Sequence, residues 1–285
     1  PRALRNFVGK FFASKESGDG VSAYQALCTA LAATVGTGNL AGVAGAIALG
    51  GPGSIFWMWI CGLLGMVTKY AEATLAVRYR VRTPEGEWVG GPMYMIQNGM
   101  GKRWMWLASV YCFFGVVAAF GVGNATQVNA VIAGINSALL AVGLQESVTV
   151  NMGIGIVLAV LVARMLSGGA KRIGAIAEKL VPFAAIAYLF LAVGVLVSRA
   201  EAVPAAFSMI FHGAFSPKAV TGGIIGSTFC VLRTGASRGV FTNEAGMGTA
   251  SIAHASATVK HPVEQGMMGI MEVFVDTIVI CTITA

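Results

Sequence analysis

Long apolar stretches alternate with short polar connections along this chain. No charged residue occurs between Asp19 and Lys69, or between Arg103 and Glu146. A membrane-spanning helix needs roughly 20 apolar residues to cross about 30 Å of hydrocarbon, so each of these gaps has room for one or two crossings. The pattern therefore predicts an all-α integral membrane protein.

Seven stretches qualify as candidate crossings, here called spans one to seven. They are Val21 to Leu49, Ser54 to Val77, Trp104 to Ile135, Val148 to Ala163, Leu180 to Val197, the shorter Ala219 to Leu232, and a seventh from near Gln265 to the end of the chain. Composition agrees with this reading, because 56% of the 285 residues are hydrophobic and 11% are charged. A soluble domain carries about a quarter charged residues, so a soluble protein is excluded.

The basic residues are distributed unevenly between the two sides of the membrane. Lys and Arg precede span one and fill the connections after spans two, four and six, whereas the opposite side receives only Arg199 and Lys218. Because Lys and Arg collect on the cytoplasmic side, the N-terminal segment, residues 1–20, is predicted to be cytoplasmic. The net charge of +7 then reflects membrane topology, and we expect no nucleic-acid partner.

Spans one and six each contain a cluster of glycines. Span one carries Thr34 to Asn39 (TVGTGN), and span six carries Gly222 to Thr228 (GGIIGST). Each glycine costs a helix about 1 kcal/mol relative to alanine, so the clusters favour local unwinding. Paired interrupted helices indicate a transporter's binding site. Close helix packing is the alternative, since Gly38 with Gly42 and Gly222 with Gly226 also fit the small-xxx-small pattern.

The chemistry of these two spans suits a zwitterion and a metal cation. Neither span places Lys, Arg, Asp, Glu or His in mid-membrane, so a bound carboxylate would be held by backbone amides at a helix break. Hydroxyl and amide oxygens are abundant there instead. They belong to Thr34, Thr37, Asn39, Ser227 and Thr228. This set favours Na⁺ over H⁺ as the coupling ion, and we expect no organic cofactor.

Span seven contains the one acid placed near the midplane. Asp276 lies about 11 residues, or roughly 16 Å, into the span. Such an acid is either functional, as a coupling group, or hydrogen-bonded between helices, and the sequence leaves both open. Glu272, one turn earlier, is predicted to be solvated near the interface. Lys69 and Glu72, near the cytoplasmic end of span two, are predicted to form a surface pair or to snorkel to the interface.

Span three contains three amide side chains that are costly in lipid. Asn124, Gln127 and Asn129 are therefore predicted to face the interior of the bundle. Gln127 is a candidate to bind a substrate's carboxylate or amine. A hydrogen bond between helices explains it equally well.

Several strings carry a resemblance to a known family. They are Thr34 to Gly42 (TVGTGNLAG), Ala46 to Gly53 (AIALGGPG), Thr68 to Ala73 (TKYAEA), Gly90 to Tyr94 (GGPMY) and Arg238 to Gly248 (RGVFTNEAGMG). From about Ser22 onward the chain resembles the alanine or glycine:cation symporter family. The resemblance implies a leucine-transporter-like fold of two inverted five-helix repeats with broken first and sixth core helices. Residues 21–198 would form the first repeat and 199–285 the start of the second, incomplete in this chain.

The resemblance also implies the site residues. Amides around Thr37 and Gly38 would hold the substrate carboxylate, with Asn39 and Gln127 beside them. Further substrate contacts would come from Gly222, Gly223, Gly226 and Ser227. Carbonyls of Ala32 and Val35 would face one Na⁺ site, and Thr34 and Asn39 a second. Asn243 and Glu244 would act in gating or only cap a loop.

The function implied is secondary active transport of alanine or glycine with Na⁺ by alternating access, in a bacterial or archaeal plasma membrane. No enzymatic activity and no obligate protein partner are expected. A proton-coupled transporter using Asp276 is the nearest alternative, and a channel is a more distant one. An intramembrane enzyme is disfavoured, because His212, His254 and His261 are predicted to lie in loops or at helix ends.

Overall fold

The computed structural model describes residues 2–12, 21–215 and 228–285, and nearly all of them are helical. The α-helices are numbered in chain order. They are α1 (Arg2–Phe12), α2 (Ala23–Thr34), α3 (Val43–Gly50), α4 (Ser54–Tyr79), α5 (Pro92–Met95), α6 (Met105–Ala118), α7 (Thr126–Ala141), α8 (Val148–Leu166), α9 (Gly169–Ser198), α10 (Val203–Phe215), α11 (Thr228–Asn243), α12 (Thr249–Ala255), α13 (Pro262–Val273) and α14 (Cys281–Thr284).

Shorter elements connect or interrupt these helices. Wider π-helical turns occupy Gly38–Gly42, Ile96–Met100, Ala119–Ala125 and Phe274–Ile280, and 3₁₀ turns occupy Lys102–Trp104 and Ala200–Ala202. The described ranges also contain four two-residue strands: β1 (Val21–Ser22), β2 (Val81–Arg82), β3 (Trp88–Val89) and β4 (Ala257–Thr258). β1 pairs in parallel with β4, and β2 pairs antiparallel with β3.

The helices reproduce most of the predicted spans. Within the described residues, five are long and apolar enough to cross a membrane: Ser54–Tyr79, Lys102–Ala141, Val148–Leu166, Gly169–Ser198 and Pro262–Thr284. Two further helices, Ala23–Thr34 and Gly38–Gly50, are bent by 51° at a short break and are long and apolar enough together to count as a sixth crossing if the pair forms one span. These six match spans one to five and seven. Most of span six, residues 219–227, lies outside the described ranges, and its last residues, 228–232, form the start of α11.

Helix α4 lies at the centre of the packing, between α11 and α13. Small residues allow the close approach: a Cβ added at Gly235 of α11 would lie 2.3 Å from the Ser54 carbonyl oxygen, and one at Gly269 of α13 would lie 2.9 Å from the Lys69 carbonyl oxygen. Helices α6 to α9 instead expose broad apolar faces, which suits contact with lipid or with other protein. The division into two repeats remains a prediction.

Two predictions about charged residues are wrong. Lys69 does not form a surface pair with Glu72, and Glu272 is not solvated. The Lys69 ammonium lies 3.1 Å from the Glu272 carboxylate, and both side chains are fully buried. Lys69 lies on the α4 face that also carries Gly65 and Ala73, and this face packs against α13, so the pair forms between helices rather than along one.

Candidate binding site at the break in the first helix

The first span breaks where its glycines predict. Helix α2 ends at Thr34, and Val35 has extended backbone angles (φ −78°, ψ 95°). The Gly36 amide donates to the Asn39 side-chain oxygen at 2.9 Å instead of continuing the helical ladder to Ala32. The Ala32 carbonyl therefore lies at the end of that ladder, where backbone oxygens are free for a ligand.

Asn39 also joins the break to the predicted acid of span seven. Its Nδ2 donates to the Asp276 side-chain oxygen Oδ1 at 2.7 Å and to the Asp276 backbone carbonyl at 3.2 Å. The Thr277 hydroxyl donates to the second carboxylate oxygen at 2.8 Å. Both Asp276 and Thr277 lie in the π-helical turn that interrupts the last span. The structure thus places an acid directly against the broken helix.

The Asp276 carboxylate is fully buried. Among the described residues, no Lys, Arg or His side chain forms an ion pair with it. The buried Lys69 is already matched by Glu272. An ionised carboxylate in such surroundings is very costly without a counter-charge. This position therefore calls for a bound cation or a proton.

A cavity of about 530 Å³ opens beside the break, within the range typical of small-molecule sites. The Thr37 hydroxyl is buried there and has no hydrogen-bond partner among the residues that the structure describes. The Gln127 side chain approaches the opposite side of the break, 3.2 Å from where a Cβ on Gly36 would lie. The remaining lining is mainly apolar: Val35, Leu40, Ala41, Ala130, Val131, Ala184, Ala185, Tyr188 and Ile280.

Thr242 of α11 is a site residue that the sequence analysis missed. Its hydroxyl would lie 2.5 Å from a Cβ on Gly38, and it is 3.9 Å from the Cys281 sulfur, which Asn39 also contacts at 3.4 Å. The signal was available in part, because Thr242 belongs to the TNEAG string. That string was interpreted only as a cytoplasmic gate or cap.

Gly38→Ala is expected to abolish substrate binding, because the added methyl group would collide with the Thr242 hydroxyl and backbone and push α11 away from the break. Gly42→Ala, in the same π-helical turn, is the matched control, since the nearest atom to its added Cβ lies at 3.8 Å. Alanine binding to the purified full-length protein would be measured for both. Equal binding by the two variants would contradict the close contact described here.

The positions of the other predicted site residues do not decide whether they bind a ligand. Ala32 is exposed on α2. The Thr34 hydroxyl is buried and turns back to the carbonyls of Ala30 and Leu31 at 3.4 and 3.5 Å, as polar side chains near helix ends often do. Gly222, Gly223, Gly226 and Ser227 lie outside the described residues.

The predicted gating residues cap a turn after α11. The Asn243 side-chain oxygen accepts from the Ala245 amide at 3.0 Å. Glu244 has left-handed backbone angles (φ 52°) and accepts from the Thr249 hydroxyl. These contacts support the capping alternative, and a gating role stays a prediction.

The prediction for span three holds only in part. Asn124 and Asn129 are exposed on the described chain rather than inward-facing, whereas Gln127 is half-buried at the cavity. Asn124 lies within the π-helical turn Ala119–Ala125, whereas Gln127 and Asn129 follow it in α7. The cost of an amide in lipid, on which the prediction rested, does not fix which way each side chain faces where a π-helical turn and an α-helix meet.

Comparison with known proteins identifies the family of the chain. The model of the sodium:alanine symporter family matches residues 1–285. The chain belongs to the sodium:alanine symporter family. Family membership makes it a multi-pass membrane protein of a transporter family, not an enzyme.

Relatives in this family match the whole chain. It is 45% identical to an uncharacterized transporter of Haemophilus influenzae, covering 60% of that protein. It is 43% identical to the sodium/alanine symporter AgcS of Methanococcus maripaludis, again covering 60%. It is 40% identical to the putative sodium/proton-dependent alanine carrier protein YrbD of Bacillus subtilis, covering 56%. The chain thus spans somewhat more than half the length of these relatives.

Proposed function

We propose that this chain carries the binding site of a symporter that moves alanine or glycine together with Na⁺. The observation that carries the proposal is the buried, unneutralised Asp276 carboxylate, joined through Asn39 to the break in the first helix. A cation bound there neutralises the acid and fastens two helices at once. Transport itself belongs to the whole protein, because the chain spans about 60% of its relatives.

The cation is held by oxygen atoms around the break. The Asp276 carboxylate supplies the charge, and the Asn39 side-chain oxygen and the free Ala32 carbonyl supply neutral ligands. Carbonyl and carboxylate oxygens at an unwound segment suit a hard cation such as Na⁺. The Thr37 hydroxyl, buried without a partner among the described residues, is available to the cation or to the substrate.

The amino acid occupies the cavity beside the cation. Its carboxylate is held by the amides at Thr37 and Gly38, where the second half of the broken helix begins and its dipole is positive. The Gln127 side-chain oxygen accepts from the substrate ammonium across the cavity. Small apolar residues such as Ala130 and Ala184 line the remainder, which suits a short side chain.

Transport then follows alternating access, in which the protein opens the site first to one side and then to the other. The bias of Lys and Arg supports a cytoplasmic N-terminal segment, and the bacterial and archaeal sources of the relatives support a plasma membrane of such an organism. The complete cycle loads Na⁺ and the amino acid from outside and releases both to the cytoplasm.

Proton coupling is the second candidate, and the same carboxylate favours it. A proton on Asp276 also neutralises the acid, and the Bacillus subtilis relative is named for both ions. The two candidates predict different effects on alanine uptake when Asp276 is replaced. The first prediction in the Discussion uses this difference.

Uptake of radiolabelled alanine into proteoliposomes with the full-length protein tests the proposal. An imposed Na⁺ gradient is compared with an imposed H⁺ gradient, each with and without Asn39→Ala. We expect uptake to follow Na⁺ and to fail in the variant. Uptake that follows H⁺ alone assigns coupling to a proton on Asp276. No alanine uptake under either gradient refutes the substrate assignment.

A further inference from the structure

Four fully buried polar side chains form a continuous hydrogen-bonded network next to the site. Glu272 lies at its centre, 3.1 Å from the Lys69 nitrogen and 2.9 Å from Nε2 of His254. His254 Nδ1 is 2.7 Å from Nε2 of Gln265, and that amide nitrogen is 3.4 Å from the Ala23 carbonyl oxygen. The proposed transport chemistry uses none of these four side chains.

The hydrogen-bond directions indicate where the protons lie in this network. A backbone carbonyl only accepts, so the Gln265 NH₂ group donates to Ala23 and, with its other hydrogen, to His254 Nδ1. His254 therefore carries its proton on Nε2 and donates it to Glu272. Lys69 balances the Glu272 carboxylate, and the four side chains together carry no net charge.

The network links four elements and ends on the first residue of α2. Lys69 belongs to α4, His254 to α12, and Glu272 and Gln265 to α13, while Ala23 begins α2. At its other end, α2 stops at the break described above. It is thus a half-helix with the 51° break at one end and this polar contact at the other.

The energetics of buried ion pairs indicate that such a network does more than stabilise the fold. A buried ion pair is weak evidence for stability, because apolar residues of the same size often stabilise as well or better. Buried polar groups are best attested as devices that select one arrangement over another. The link from Gln265 to Ala23, at 3.4 Å, is near the upper limit for an N–H···O bond, so it is the contact most easily released.

We propose that Lys69, Glu272, His254 and Gln265 form a buried latch that holds the half-helix α2 against α13, and that release of Gln265 from Ala23 lets α2 move and opens a path from the cavity. The role in transport rests on the proposed function, since α2 forms one wall of that site. The four residues are positioning residues and touch neither substrate nor cation. Other contacts hold α2 as well: Gln25 ties it to α9 through Glu178 at 2.8 Å, and the β1–β4 pair ties the residues just before it to the segment between α12 and α13.

Cysteine labelling at the α2–α13 contact tests the latch. Ala23→Cys places a thiol at a buried position of this contact, next to Met268. The full-length protein in lipid nanodiscs is treated with a maleimide, and the labelled peptide is quantified by mass spectrometry. Adding Gln265→Met removes both hydrogen bonds at nearly constant volume and leaves no charge unpaired. We expect labelling about fivefold faster, the shift that loss of roughly one net hydrogen bond gives.

Met268→Leu is the matched control, because Met268 is equally buried on α13 and touches the same half-helix without a polar bond. It is expected to leave the labelling rate unchanged. Gln265→Asn, whose shorter amide does not span both acceptors, serves as a second variant and is expected to act like Gln265→Met. The midpoint of thermal unfolding is measured in parallel. A latch is expected to change how fast the thiol at position 23 is labelled, while the Gln265 and Met268 variants unfold at equal midpoints.

Equal labelling in the Gln265 and Met268 variants would overturn the proposal. Faster labelling that only accompanies a lower thermal midpoint would also overturn it, since that result describes a structural contact. The labelling requires no transport. A failed alanine-uptake experiment therefore refutes the proposed function without deciding the latch, and the labelling decides the latch alone.

Discussion

Asp276→Asn is expected to raise the Na⁺ concentration for half-maximal alanine uptake about tenfold or more. The substitution keeps the size of the side chain but removes the negative charge that attracts the cation. An interaction with a full charge is worth roughly 1.5–3 kcal/mol, which corresponds to at least a factor of ten. Residual uptake at high Na⁺ is expected, because neutral oxygens at the break remain. The measurement is uptake by the full-length protein over a series of Na⁺ concentrations.

The control for this prediction is Cys281→Ala. Cys281 also contacts Asn39, at 3.4 Å, but carries no charge at the site, so its loss is expected to leave the Na⁺ dependence close to that of the parent. Unchanged Na⁺ dependence in Asp276→Asn would reduce the acid to an interhelical hydrogen-bonding group. Loss of uptake at every Na⁺ concentration would favour the proton-coupled alternative.

Lys69→Met is expected to lower the free energy of unfolding by about 3–5 kcal/mol, the usual cost of leaving one partner of a buried ion pair alone. The Glu272 carboxylate, fully buried 3.1 Å from the ammonium, would lose its counter-charge. The double variant Lys69→Met/Glu272→Gln removes both charges and is expected to recover most of the loss. Thermal unfolding of the full-length protein in detergent measures the difference.

Arg78→Met provides the matched control, since Arg78 lies exposed near the end of the same helix. Its replacement is expected to change the unfolding midpoint little. If the double variant is as unstable as Lys69→Met alone, charge imbalance is not the cause, and the packing of the Lys69 side chain must explain the loss instead.

Local features of the site were predictable from sequence. The glycines between Thr34 and Asn39 predicted the break because clustered glycine weakens a helix regardless of its surroundings. Asp276 was placed near the midplane by helical rise alone. Gln127 was singled out because an amide in an apolar span needs a polar partner.

The partners of these residues were not predictable. The hydrogen bond between Asn39 and Asp276 joins positions 237 residues apart. Helical periodicity shows which residues share a face of one helix, but not which other helix packs against that face. The same limit explains the error at Lys69. Its neighbour Glu72 along α4 suggested a local pair, whereas the closer approach of α13, permitted by small residues such as Gly269, supplied Glu272.

The most direct test of the central claim, that the break and Asp276 form one cation site coupled to the amino acid, is equilibrium binding to the purified full-length protein. Radioactive Na⁺ is titrated with and without alanine, and radiolabelled alanine with and without Na⁺. The account predicts that each ligand raises the affinity of the other by the same factor, as linkage requires, and that Asn39→Ala removes this coupling. Alanine binding that is equally tight with and without Na⁺ would contradict the account.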